Sequence, residues 1–92
     1  MSGETIIFYD ALAFSHEGAV RVYQLATRGP RTPRIVVDLG TAVEATTSAF
    51  ARLVLLRRLL LKDGRDLRLA NLRLQTARLY EVIRLGAVLP RV

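Results

Sequence analysis

Three consecutive hydroxyl residues, Thr46-Thr47-Ser48, stand directly ahead of a leucine-rich stretch. Hydroxyls in that place have two uses. They cap a helix by accepting hydrogen bonds from its first free N–H groups, or one of them carries a phosphoryl group, whose charge of about −1.5 to −2 suits the same N–H groups and the helix dipole. Other residue types capable of chemistry are sparse. The lone histidine, His16, directly follows Ser15, and adjacent side chains do not form the nucleophile-to-base hydrogen bond of a hydrolytic triad. Asp63 and Asp66 flank Gly64, the pattern of a solvated turn and not of a paired acid and base. With no cysteine and one histidine the chain lacks the ligands of a zinc site, and no glycine pattern matches a phosphate-cradling loop. No enzyme, no metal and no cofactor are expected.

Positioning the hydroxyl cluster requires a fold, and the composition supplies one. The 92 residues are one domain's length, and 51% hydrophobic with 24% charged residues is far from a disordered composition. The longest apolar run, Arg52 to Leu61, is broken by Arg57 and Arg58, so no membrane span is expected. The N-terminus has no basic region before its apolar stretch, so no cleaved signal peptide is expected either. Net charge is +6, and Lys62 is the only lysine among 14 basic residues. Residues 1–46 carry four basic and five acidic groups, whereas residues 47–92 carry ten and three, so the C-terminal half carries the positive field.

Thr5 to Tyr9, all β-branched or aromatic, reads as a strand. A helix follows, with Ser15 as N-cap, an apolar face of Ala19, Val20, Tyr23, Leu25 and Ala26, and an end before Gly29. Arg28 to Arg34, with Pro30 and Pro33, is a basic loop. Ile35 to Leu39 has the continuous apolar character of a strand buried in a parallel sheet. Thr46 to Lys62 is the longest helix, Leu67 to Ala70 a third strand, and Leu74 to Leu85 a third helix stopped by Gly86. This β-α-β-α-β-α order predicts a small α/β domain of three to four mostly parallel strands, with Val36 buried at the centre of the sheet and the helix from Thr46 packed across it.

The segment Ile35-Val36-Val37-Asp38-Leu39, a short loop, the hydroxyl cluster and a leucine-rich helix together resemble the STAS domain, shared by sulphate transporters and anti-sigma-factor antagonists. Asp63-Gly64, Leu67 to Asn71 and Leu79 to Gly86 extend the resemblance, which covers residues 4–90 as a single domain. In that family the loop-to-helix junction reads Asp-Ser-Ser-Gly or Asp-Ser-Thr-Gly, and the first hydroxyl is phosphorylated by a cognate kinase. The resemblance places Thr46 on the phospho-acceptor and Thr47 on the second hydroxyl; Ala45 stands where the family has its acid and Ser48 where it has glycine. The resemblance implies that Asp10 to Ala13 takes the place of the family's Gly-Glu-Leu-Asp turn, and a chain without the family's additional opening strand is the expectation.

The resemblance implies a cytoplasmic protein-interaction module: an anti-sigma-factor antagonist whose partner is a kinase-like anti-sigma factor. A second family role, the STAS subunit that docks on the ATPase subunit of a bacterial ABC lipid transporter, is suggested by the tail Val88-Leu89-Pro90-Arg91. On the long helix, Ala49, Leu53, Leu56 and Leu60 form one stripe at core spacing, while Arg52, Leu55, Leu59 and Lys62 form another that one sheet does not also bury. Ser48, Arg52, Leu55 and Leu59 are therefore the expected partner-binding residues. From charge alone a basic nucleic-acid-binding protein is the alternative of another class. Nucleic acid is nevertheless not the expected partner, because the arginines are scattered and no recognition helix or aromatic platform accompanies them.

Overall fold

A computed structural model describes residues 3–92. In chain order the elements are β1 (Glu4–Phe8), β2 (Ala13–Phe14), α1 (His16–Arg28), β3 (Arg34–Asp38), β4 (Glu44–Ala45), α2 (Thr47–Lys62), β5 (Asp66–Ala70), α3 (Leu74–Val82) and a 3-10 turn (Leu85–Ala87). The main sheet has the order β1-β3-β5 and is parallel throughout, with Thr5 beside Ile35 beside Leu67 and Ile7 beside Val37 beside Leu69. A second, minimal parallel sheet pairs β2 with β4, Phe14 lying beside Ala45. The expected α/β domain is therefore present, with three strands in its main sheet.

Alternation along the strands decides which face is the core. Ile7, Ile35, Val37, Leu67 and Leu69 point to one face and are buried in a single cluster with Ala19, Val22 and Ala26 of α1 and with Ala49, Leu53, Leu56 and Leu60 of α2. The opposite face carries Ile6, Val36 and Arg68 in register. Val36 is buried, as expected, but among its sheet neighbours on this open face and not beneath α2. A fully parallel sheet covered on one side only is unusual, because crossover helices normally cover both.

Local signals explain the element ends. Ser15 Oγ accepts from Gly18 N–H at 3.3 Å and starts α1, which ends at Arg28 before Gly29. The expected apolar face of that helix needs correction: Val22 and Gly18 are buried with Ala19 and Ala26, whereas Tyr23 and Leu25 are exposed, because the helix leans on α2 and on one edge of the sheet. The last helix is also shorter than expected. It ends at Val82, and Arg84 in the left-handed region (φ 56°) turns the chain into the 3-10 turn, so Gly86 is not the stop.

Beyond that turn the tail doubles back along the sheet. Leu69 N–H donates to Pro90 O and Val92 N–H to Leu69 O, while Leu89 is fully buried and Tyr80 Oη donates to its carbonyl at 2.8 Å. Arg91 lies over the Tyr80 ring and pairs with Glu81 at 2.7 Å.

The first turn of α1 is fitted against β1's end. A Cβ placed on Gly18 would collide with the Tyr9 ring, whose hydroxyl donates to Ala13 O at 2.6 Å. Gly18→Ala should therefore destabilise the protein by about 1–3 kcal/mol, the cost of overpacking, even though alanine is the better helix former. Denaturant unfolding measures it, and a neutral or stabilising effect would contradict the packing described.

Candidate functional site

Three segments meet at the N-terminus of α2. Phe14, at the end of β2, is fully buried, and its carbonyl accepts the Thr46 N–H at 3.1 Å. Phe50, in the first turn of α2, packs edge to face on Phe14 with ring centroids 5.7 Å apart and on Tyr80 of α3 at 6.2 Å. Just upstream, the β4 approach is fastened to α3 by Gln75 N–H to Val43 O at 3.1 Å and Thr76 Oγ1 to Ala42 O at 3.0 Å. The junction is held on all sides by backbone bonds and aromatic contacts.

On that support the three hydroxyl residues are exposed, yet they do different things. Thr46 is the N-cap, and its Oγ1 accepts the Ala49 N–H at 3.2 Å. Ser48 Oγ lies 3.4 Å from the same oxygen. Thr47 is the first helical residue, and its hydroxyl makes no hydrogen bond among the described residues. The first turn of α2 contains no acidic side chain, so nothing there opposes an added anion.

The two stripes of α2 separate as the spacing predicts. Ala49, Leu53, Leu56 and Leu60 are at most 2% exposed, whereas Leu55 is 56% and Leu59 45% exposed. The outward stripe does not act as one strip, however. Leu55 joins Thr47, Ala51, Val54, Arg58 and Ile83 in a groove of about 450 Å3 between α2 and the end of α3. Arg52 turns the other way and lines a separate depression of about 350 Å3 with Tyr23 and Arg28 of α1. Thr47 and Leu55 are thus brought together, Leu59 is exposed but lines neither depression, and Ser48 is exposed near Thr46. The contribution of Ile83 was not legible in the sequence, because the expected helix through Leu85 would have continued past it.

Charges on the α2 wall of the groove are of one sign. Helix α2 carries Arg52, Arg57, Arg58 and Lys62 and no acidic residue. Among the described residues only Arg57 of these is ion-paired, to Asp66 at 2.8 Å, and it also donates to Val88 O at 3.2 Å. Of the two aspartates expected in a solvated turn, Asp63 is one, exposed at the C-cap of α2 ahead of Gly64, whereas Asp66 is not. Asp63 pairs with Arg31 at 2.8 Å, and Asp66 sits at the start of β5, accepting from Arg57, Arg68 and Leu67 N–H. Burial pushes the Asp66 carboxyl upward, but those three hydrogen bonds outweigh it and leave its pKa below the ordinary carboxylate value.

The remaining arginines divide between structure and surface. Arg65 is buried and donates to Thr32 O and Pro30 O, tying down the Pro-containing loop. Arg34 lies 3.5 Å from Glu4. Arg73 donates to Gly40 O, beside the Asp38 carboxylate that accepts from Gly40 N–H and Asn71 Nδ2.

His16 is exposed on the first turn of α1, and among the described residues no three His, Asp or Glu side chains gather as a metal site. No described helix is long and apolar enough to cross a membrane. The sequence matches no protein-family model and no curated protein.

Two stability measurements check this geometry. Thr46→Ala should cost about 1 kcal/mol, the usual value of a lost N-cap, while Thr47→Ala should fall within about 0.5 kcal/mol of the parent. Asp66 holds a lowered pKa in the fold, so its contribution is present above the unfolded pKa near 3.9 and lost as pH falls through the folded value. Asp66→Asn should therefore be less stable than the parent at pH 7, with the difference closing as the pH falls through the lowered folded-state pKa. An equal deficit above and below that pKa would remove the ion pairs from the explanation.

Proposed function

We propose that this chain is a cytoplasmic, non-catalytic interaction module of STAS type, in which the outward face of α2 docks a protein partner and the hydroxyls at the helix start switch that docking. One observation carries the reading: α2 buries a complete core stripe and still presents Leu55 and Leu59 to solvent, half exposed and rimmed by Arg52, Arg58 and Lys62. Apolar side chains encircled by charge of one sign suit a complementary surface that is apolar at its centre and acidic at its rim.

The leading role is that of an anti-sigma-factor antagonist in a partner-switching system, with a kinase-like anti-sigma factor as partner. Thr47 lines the same groove as Leu55, so a phosphoryl group there would sit at the edge of the docking face. Thr46 is the position the family resemblance selects, but its oxygen is engaged as the cap, which favours the free Thr47 hydroxyl as the acceptor. Either phosphate would lie in the first turn, where the helix tolerates an anion and an acidic partner rim would repel it.

The ABC-transporter reading has less support, since the tail that suggested it already serves the fold through Leu89, Arg91 and the Pro90 carbonyl. Nucleic-acid binding loses ground for a similar reason: Arg31, Arg34, Arg57, Arg65, Arg68 and Arg91 are engaged within the protein.

Affinity capture with the intact chain tests the proposal, provided that Thr47→Glu and Leu55→Glu are run beside it. The parent should retain a histidine-kinase-type ATPase, and both variants should lose it while melting within about 2 °C of the parent, because both positions are exposed. Capture of an ABC ATPase would move the chain to the transporter role. Salt-sensitive retention of DNA or RNA would replace the interaction module with a nucleic-acid binder.

A further inference from the structure

The main sheet ends in two unlike edges. On the β5 side the tail adds a pairing, with Leu69 N–H to Pro90 O at 3.0 Å and Val92 N–H to Leu69 O at 2.8 Å. On the other side β1 pairs with β3 alone, and no described residue hydrogen-bonds to its outer backbone. The Tyr9 N–H donates to Asp38 O, so by alternation Thr5 and Ile7 turn their backbone groups toward β3 while Glu4, Ile6 and Phe8 turn theirs outward. Ile6 is 48% and Phe8 70% exposed. From Thr5 to Phe8 the edge carries no proline, no lysine and no charge, the devices that ordinarily keep an open edge from pairing.

We propose that this edge is a homodimer interface, in which β1 of a second copy of this chain pairs antiparallel with β1. The outward groups are self-complementary about Ile6. An antiparallel register that places Ile6 opposite its counterpart also places Glu4 opposite the other copy's Phe8, so every outward N–H and C=O in the strand meets another. The result is an isologous two-fold contact that closes on itself.

Charge singles out a second copy as the occupant. Helix α1 runs opposite to β1, since its start packs on Tyr9 at the strand's C-terminal end. Its outer stripe reads Glu17, Arg21, Leu25 and Arg28, and Arg21 and Leu25 line the crevice beside Ile7, Phe8 and Tyr9. This stripe begins acidic and ends basic, and among the described residues neither Glu17 nor Arg28 has an ion-pair partner. The two-fold operation sets two such stripes antiparallel, Glu17 of each copy toward Arg28 of the other. A uniformly acidic or basic peptide added to the edge would leave one end mismatched. Five strand residues and one helix flank make a small contact, at the low end of specific interfaces, which implies a reversible dimer.

Sedimentation equilibrium of the intact chain over a wide concentration range tests the proposal. The weight-average mass should rise from 10.3 kDa toward twice that value, and Ile6→Lys should hold it at the monomer mass, with an unchanged melting temperature at concentrations where the parent is itself monomeric. Glu17→Arg should weaken the dimer severalfold, and adding Arg28→Glu to the same chain should restore it, because the reversed charges again face each other. A mass fixed at 10.3 kDa at every concentration would overturn the proposal. So would a dimer that survives Ile6→Lys, and one lost on Leu55→Glu instead would place self-association on α2.

Discussion

Phe14 and Phe50 meet edge to face with no solvent exposure on either ring, and the candidate site exists because they do. The contact extends into a row, Tyr9 to Phe14 at 5.0 Å and Phe50 to Tyr80 at 6.2 Å, that joins β1, β2, α2 and α3 at the end of the sheet where the strands finish. Each such pair is worth about 0.5–1.5 kcal/mol beyond its buried area. Their larger effect is positional. With Phe50 pinned in the first turn and the Thr46 N–H bonded to Phe14 O, the start of α2 has one place and one direction, and the hydroxyls are exposed without being loose.

Electrostatics then separates scaffold from surface within a chain whose basic residues are nearly all arginine. The planar guanidinium groups of Arg57 and Arg65 reach two acceptors each and fasten the tail and the loop before β3 to the body of the fold. Arg52, Arg58 and Lys62 form no ion pair among the described residues and stay on the outer side of α2. A net charge of +6 thus says little by its size; which cations remain unpaired says more.

Periodicity made much of this legible in the sequence. The β-branched run at Thr5, the apolar run at Ile35, the Ser15 cap and the two stripes of α2 each follow from local rules that the tertiary structure does not override. What was not legible depends on partners distant in sequence. Leu25 has core spacing but is exposed beside β1 instead of buried in the core, and Asp66 looks like a turn residue until Arg57 and Arg68 reach it. The two-residue strands β2 and β4 have too little pattern to announce themselves. Arg84 ends the last helix in a left-handed conformation that glycine, two residues later, would have been expected to supply.

The account turns on α2 having one face for the core and a second for something outside the chain. Denaturant unfolding of Leu53→Ala and Leu59→Ala compares the two faces with the same chemical change on the same helix. Leu53→Ala should cost about 2–5 kcal/mol, as for a fully buried leucine, and Leu59→Ala no more than about 0.5 kcal/mol. Comparable losses at both positions would mean that Leu59 belongs to the core, and the outward face of α2 would have no apolar surface left to offer.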